Sequence, residues 1–165
     1  MATLAELLAD QKLFRLDPVL PAGEQEFRLI YTSDRLKTWL EQNLPSLASS
    51  WKIEESPAEQ LDALIAIFAA GDQLTFEWQF KPITPIGDGV WELKTADVRV
   101  FGWFPLKDHF IGYVADTAER VKQYNLYYGY RGEVVRFRDQ LPLDEPKFVP
   151  GDNPDDVVSN YTQAN

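Results

Sequence analysis

The sequence predicts an α+β domain: a mostly antiparallel sheet of four or more strands, packed against two helices that precede it, with a further helical region and a tail behind. Three observations carry that expectation. Ser56–Gly71 has the start, apolar stripe and stop of a helix. Directly after Gly71 the apolar spacing changes to two, the period of a half-buried strand. Several strand-like runs then follow one another with only short turns between them, which favours a meander over a parallel sheet. The 165 residues divide into an N-terminal arm (1–25), a core (26–125) and a C-terminal extension (126–165) of one domain.

Taken in order, Ala2–Ala9 reads as a short helical arm through Leu4, Leu7 and Leu8, and Pro18, Pro21 and Gly23 make a linker. Glu26–Tyr31 alternates as a strand with Phe27, Leu29 and Tyr31 on one face. Ser33 or Asp34 caps a helix carrying Leu36, Trp39, Leu40, Leu44 and Leu47, which Pro45 kinks or ends. In the next helix Ser56-Pro57-Ala58-Glu59 is a capping box with proline at the first helical position. Leu61, Leu64, Ile65 and Phe68 form its stripe and Gly71 stops it. Leu74–Phe80 then reads as one strand with Leu74, Phe76, Trp78 and Phe80 on the buried face. Pro82–Gly89 is a loop, Val90–Lys94 and Val98–Phe104 form a hairpin around Thr95-Ala96-Asp97, and His109–Ala115 is the next strand. This order places the helices on one face of the sheet. Asp116-Thr117-Ala118-Glu119 opens another helix, a stretch with Val134, Val135, Phe137 and Leu141 is interrupted by Gly129 and Gly132, and the tail wraps back through Phe148 and Val149 before fraying.

Composition narrows the chemistry. With no cysteine, disulfides, thiolate metal sites and cysteine nucleophiles are excluded. The N-terminal residues lack the basic and apolar regions of a leader, and no run is long enough to span a membrane, so a cytoplasmic protein is expected. The formal charge is −10, which disfavours nonspecific nucleic-acid binding. The acid excess is concentrated early: residues 1–80 carry 6 basic against 13 acidic groups, while 90–140 carry 8 against 7. A local basic face is compatible with that distribution.

The sole histidine, His109, follows a turn and has no serine in a nucleophile-elbow pattern, so it reads as a strand-end residue. Walker, dinucleotide-binding and HExxH patterns are absent, and no metal or cofactor is expected. The acidic run Gly151–Asp156 lacks the closing glutamate of an EF-hand. What remains is chemistry by basic and tyrosyl groups on a sheet. Metal-independent RNA cleavage needs a group to activate the 2′-hydroxyl, cations at phosphorus and a proton donor for the leaving oxygen. Lys94 and Arg99 are the catalytic candidates, and Arg120, Lys122, Tyr127 and Arg131 the nucleic-acid-binding ones. Each also has a structural reading: charges beside a hairpin tip protect a sheet edge, and Tyr124, Tyr127, Tyr128 and Tyr130 can pack a helix onto a sheet as well as stack bases.

Two helices followed by Gly89-Val90-Trp91-Glu92-Leu93-Lys94 and Asp97-Val98-Arg99-Val100-Phe101-Gly102-Trp103-Phe104 resemble the RelE/HigB toxin superfamily, in particular its phage-derived HigB-like branch. The resemblance covers about residues 27–125. It implies a compact sheet on two helices, ribosome-bound mRNA as substrate and an antitoxin as partner. Glu92, Lys94 and Arg99 stand at the matching strand positions. The acidic balance, the absence of a basic pair at Ala115-Asp116 and the long extension depart from the family pattern. They favour a noncatalytic phage- or prophage-type module that binds a host or phage protein. The alternative is the toxin of a type II pair, a ribosome-dependent mRNA interferase.

Overall fold

A computed structural model describes residues 1–83 and 88–164. Among these residues five α-helices flank one eight-stranded sheet. The helices are α1 (Leu4–Ala9), α2 (Asp34–Gln42), α3 (Pro57–Ala70), α4 (Ala118–Gln123) and α5 (Tyr127–Gln140). The strands are β1 (Phe14–Arg15), β2 (Leu29–Thr32), β3 (Leu74–Phe76), β4 (Phe80–Pro82), β5 (Trp91–Lys94), β6 (Val98–Leu106), β7 (His109–Thr117) and β8 (Tyr161–Gln163). Their order across the sheet is β1-β2-β7-β6-β5-β4-β3-β8. The α+β class and the antiparallel meander β4-β5-β6-β7 agree with the sequence reading. Outside the meander the sheet is mixed, because β2–β7, β3–β4 and β3–β8 pair in parallel.

Local signals account for the helix starts. Ser33 Oγ accepts from the Leu36 N–H, and Ser56 with Glu59 closes a reciprocal capping box at α3. Gly71 ends α3 in the left-handed region, at φ 77°. Pro45 lies in a 3₁₀ turn, Leu44–Ser46, beyond the end of α2.

The helices do not lie on one face as expected. Leu36, Leu61, Leu64, Ile65 and Phe68 of α2 and α3 pack with Trp91, Leu93, Val98, Val100 and Phe104 on one side of the sheet. On the other side Leu7, Val121 and Val134, from α1, α4 and α5, pack with Phe101, Trp103, Ile111 and Val114. With both faces covered, a strand need not alternate, and every residue of Val98–Pro105 is buried. The register shift falls on β7, where Tyr113 is left between the Phe101–Val114 and Gly102–Gly112 pairs, and it brings Ile111 and Val114 to the same face.

Further departures have identifiable causes. Leu74–Phe80 is not one strand: Glu77 adopts φ 75°, the chain turns, and Trp78 is exposed. The Gln79 side chain accepts from the Thr75 N–H at 2.7 Å and holds the turn closed. In the segment 26–31 the strand begins only at Leu29, and Phe27 is exposed while Arg28 is fully buried. Helix α4 starts after Thr117, whose hydroxyl caps Arg120 N–H, so Asp116 remains in β7. Neither Gly129 nor Gly132 breaks α5. Much of the loop expected at Pro82–Gly89 lies outside the described residues. The tail does not fray after Val149: Val157 and Val158 enter the core and β8 extends the sheet beside β3.

Candidate functional site

The sheet face beneath α4 and α5 carries a row of charged residues. Cross-strand register sets Lys81 opposite Glu92, Lys94 opposite Arg99, and Arg99 opposite Asp116. Residues opposed in this way share a face, so β4, β5, β6 and β7 together bring Lys81, Glu92, Lys94, Arg99 and Asp116 to one side of the sheet.

Glu92 is the centre of this row. Its side chain is 0 % exposed, and both carboxylate oxygens lack a hydrogen-bond partner. Burial pushes its pKa up, opposed by the charges of Arg99, Lys94, Lys81 and Lys122. The Lys94 ammonium donates to the Glu77 carbonyl at 3.0 Å. Desolvation holds Lys94 below the usual lysine range; Glu92 opposes that shift, while Arg99, Lys81 and Lys122 reinforce it. The Arg99 guanidinium is buried. It donates to the carbonyls of Val98, at 3.1 Å, and Thr95, and its Nε has no partner.

Asp116 closes the other end of the row. It accepts from Tyr130 Oη at 2.6 Å, from Arg120 Nε at 3.1 and 3.2 Å, and from the Thr117 N–H at 2.8 Å. Burial, then the bond to Asp116, pushes the Tyr130 phenol up to about 12. These bonds tie α4 and α5 down over the strand face.

The six residues singled out from sequence therefore divide. Lys94, Arg99 and Lys122 share the electrostatic surroundings of Glu92. Arg120 is committed to Asp116, and Arg131 pairs with Asp88 while lying 4.5 Å from the Tyr128 ring centroid. Lys122 itself sits over Trp51, 5.4 Å from the ring centroid. Tyr127 packs edge-on against Phe101 and lines a cavity of about 380 Å³ together with Lys81, Pro82, Ile83, Asn125 and Tyr128. His109 opens β7, stacks on Tyr31 and places Nδ1 3.0 Å from the Lys107 carbonyl, a strand-end role.

Lys81 and Asn125 were not picked out from sequence, Tyr130 was noted only within a tyrosine cluster, Asp116 only at a helix start, and Glu92 only as part of a strand motif. Period two along Trp91–Lys94 already puts Glu92 and Lys94 on one face. That face reads as solvent-exposed only while the sheet is taken to be covered on one side. No family model, curated protein or solved structure matches this chain.

Proposed function

We propose that this chain is a RelE/HigB-like protein of phage or prophage type that works in the cytoplasm as a noncatalytic protein-binding module. One observation carries the reading: of the basic strand residues at the family's working positions, Lys94 donates to the Glu77 carbonyl, and Arg99 is buried with its guanidinium committed to backbone carbonyls. Phosphate held in a site needs cations whose donors are free to meet it. The order strand, two helices, antiparallel meander supports the scaffold assignment.

The partner's chemistry follows from charge. A net −10 suits a basic groove on a protein, and such docking weakens as salt rises. Ahead of and along the first turns of α3, Trp51 and Ile53 are exposed beside the exposed Glu54, Glu55, Glu59 and Asp62. That combination of apolar anchor and acidic rim fits a docking surface.

The interferase reading is favoured by a different observation, the placing of Lys81, Lys94 and Arg99 on the same sheet face as Glu92. Induction in a host lacking a cognate antitoxin separates the two. The module reading expects unimpaired growth with the wild type and with a Lys94→Ala/Arg99→Ala double variant. Rapid arrest by the wild type, mRNA cut at codons, and loss of both effects in the double variant would establish the interferase instead.

A further inference from the structure

Two turns are fastened to the tip of the β5–β6 hairpin, and each displays a tryptophan. Ahead of α3, Trp51 Nε1 donates to the Ala96 carbonyl and the Ser50 N–H to Asp97 Oδ1, both at 3.0 Å. Between β3 and β4, the Gln79 carbonyl accepts from the Lys94 N–H at 2.8 Å, and the Glu77 carbonyl from the Lys94 ammonium at 3.0 Å. The antiparallel register, with Phe80 opposite Leu93 and Lys94 opposite Arg99, puts both turns at the same end of the sheet. Trp51 is 52 % exposed there and Trp78 63 %, whereas Trp91 and Trp103 are fully buried.

The two turns are built alike. Lys52, after Trp51, has φ 56°, and Glu77, before Trp78, has φ 75°, a region that residues with a Cβ rarely adopt. Ser49 Oγ accepts from the N–H groups of Trp51 and Ile53, each at 3.2 Å, and the Gln79 side chain closes the second turn on Thr75. These bonds fix the backbone, yet they leave two indoles and Ile53 in contact with water. Aromatic groups positioned in advance lose little entropy on docking, and tryptophan is among the residues most enriched at interface hot spots.

Charge selects what docks. Glu54 and Glu55 follow the first turn, Glu59 and Asp62 continue along α3, and Glu77 adjoins Trp78; all are exposed, and among the described residues none forms an ion pair. Against them stand Lys52, Lys94, which is bonded to the Glu77 carbonyl, and Lys122, which lies over the Trp51 ring. With the whole chain at −10, a second copy, a nucleic acid or an anionic membrane would meet like charge here, and a protein rich in lysine and arginine would not. We infer, resting on the protein-binding reading above, that this end of the sheet docks a basic protein, with Trp51 and Trp78 as anchors entering apolar pockets rimmed by lysine and arginine.

A displayed library of random linear peptides, selected on the full chain, supplies the probe, and synthetic copies of the selected peptides are then titrated by calorimetry. The binders should carry apolar residues among lysines and arginines, and their affinity should fall as salt rises. Trp51→Ala and Trp78→Ala should each weaken binding by about tenfold or more. Val19→Ala, at an apolar residue 92 % exposed in the segment after β1, should leave it unchanged. Circular dichroism and melting establish that each variant keeps the fold, and Glu54→Lys/Glu55→Lys tests the rim without touching either indole. Failure to select any binder would overturn the inference, as would a selection of acidic peptides. Sedimentation showing self-association that Trp78→Ala abolishes would replace the basic partner with a second copy and overturn it too. Basic peptides indifferent to both tryptophans would move docking to another face, overturning this surface while leaving the protein-binding reading in place. That reading falls by a separate result, growth arrest on induction of the wild type.

Discussion

Among the described residues two charged side chains are fully buried, and they are treated in opposite ways. Arg28, at the entry to β2, directs its terminal nitrogens at the carbonyls of Phe68 and Asp72, each at 2.9 Å, and of Ser159 and Asn160, while Nε lies 3.5 Å from Asp108 Oδ1. Asp108 in turn accepts from the Ser159 N–H and hydroxyl, both at 2.8 Å. One cation thereby joins the end of α3 to the C-terminal segment and holds β8 at the edge of the sheet. Glu92, on the far side of the meander, has no hydrogen-bond partner. A group with many partners is explained by the fold that it closes. A group with none is a cost that the fold tolerates, and such groups are found where a ligand or reaction supplies what is missing.

Four measurements break or sharpen this contrast. The largest effect is expected at Arg28. Arg28→Met should lower the unfolding free energy by about 3–5 kcal/mol, since it strands four carbonyls and leaves Asp108 without its cation. Urea denaturation measures the loss, and limited proteolysis should show the segment after Pro154 becoming cleavable first. A variant as stable as the wild type would mean that the clamp contributes nothing.

At Glu92 the sign should reverse. Glu92→Gln removes a buried charge and should raise stability at neutral pH by about 1 kcal/mol. Because burial raises the folded-state pKa of Glu92, its contribution is complete below its unfolded value near 4.5 and is lost as pH rises through the folded value. The stability difference between variant and wild type should therefore widen upward from about pH 4.5. Parallel denaturation curves at several pH values check it, and a gap that narrows with rising pH would place an ionised, compensated carboxylate at this position.

Tyr130→Phe deletes the bond that ties α5 to Asp116 and should cost about 1 kcal/mol. Ultraviolet titration provides an independent readout, since the variant should lack a phenol that titrates at about 12. The smallest effect is expected at Arg120, an exposed partner of the same Asp116. Arg120→Gln should leave the melting midpoint unresolved from wild type, as exposed ion pairs are screened by water. A large shift there would show that the roof depends on charge more than on packing.

The region around Arg28 was hidden from sequence reasoning for a definable reason. Alternation through Phe27, Leu29 and Tyr31 assigns Arg28 to the exposed face, and no local pattern anticipates four carbonyls arriving from positions as distant as Asn160. Lys94 and Arg99 were legible, because a strand motif and a two-residue period bring them into register, but the burial of Arg99 was not. The cavity-lining Lys81 was likewise out of reach, since Leu74–Phe80 reads as one unbroken strand and the turn at Glu77 depends on a left-handed residue that carries no glycine signal.

By itself the sequence determined what local chemistry controls. Ser33, Ser56, Glu59 and Gly71 settle helix starts and stops through bonds spanning a few residues. The period-two runs settle that a meander exists, and composition settles that cysteine chemistry does not. Tertiary structure alone decided which faces are buried. A run such as Val98–Phe104 is equally suited to one covered face or two, and only the docking of α4 and α5 opposite α2 and α3 resolves it. Burial then changes the meaning of charge: the same glutamate and arginine that would be solvated beside a hairpin tip become desolvated groups, one of them without a partner. That change depends on what lies above the strand, a contact between segments far apart in the chain.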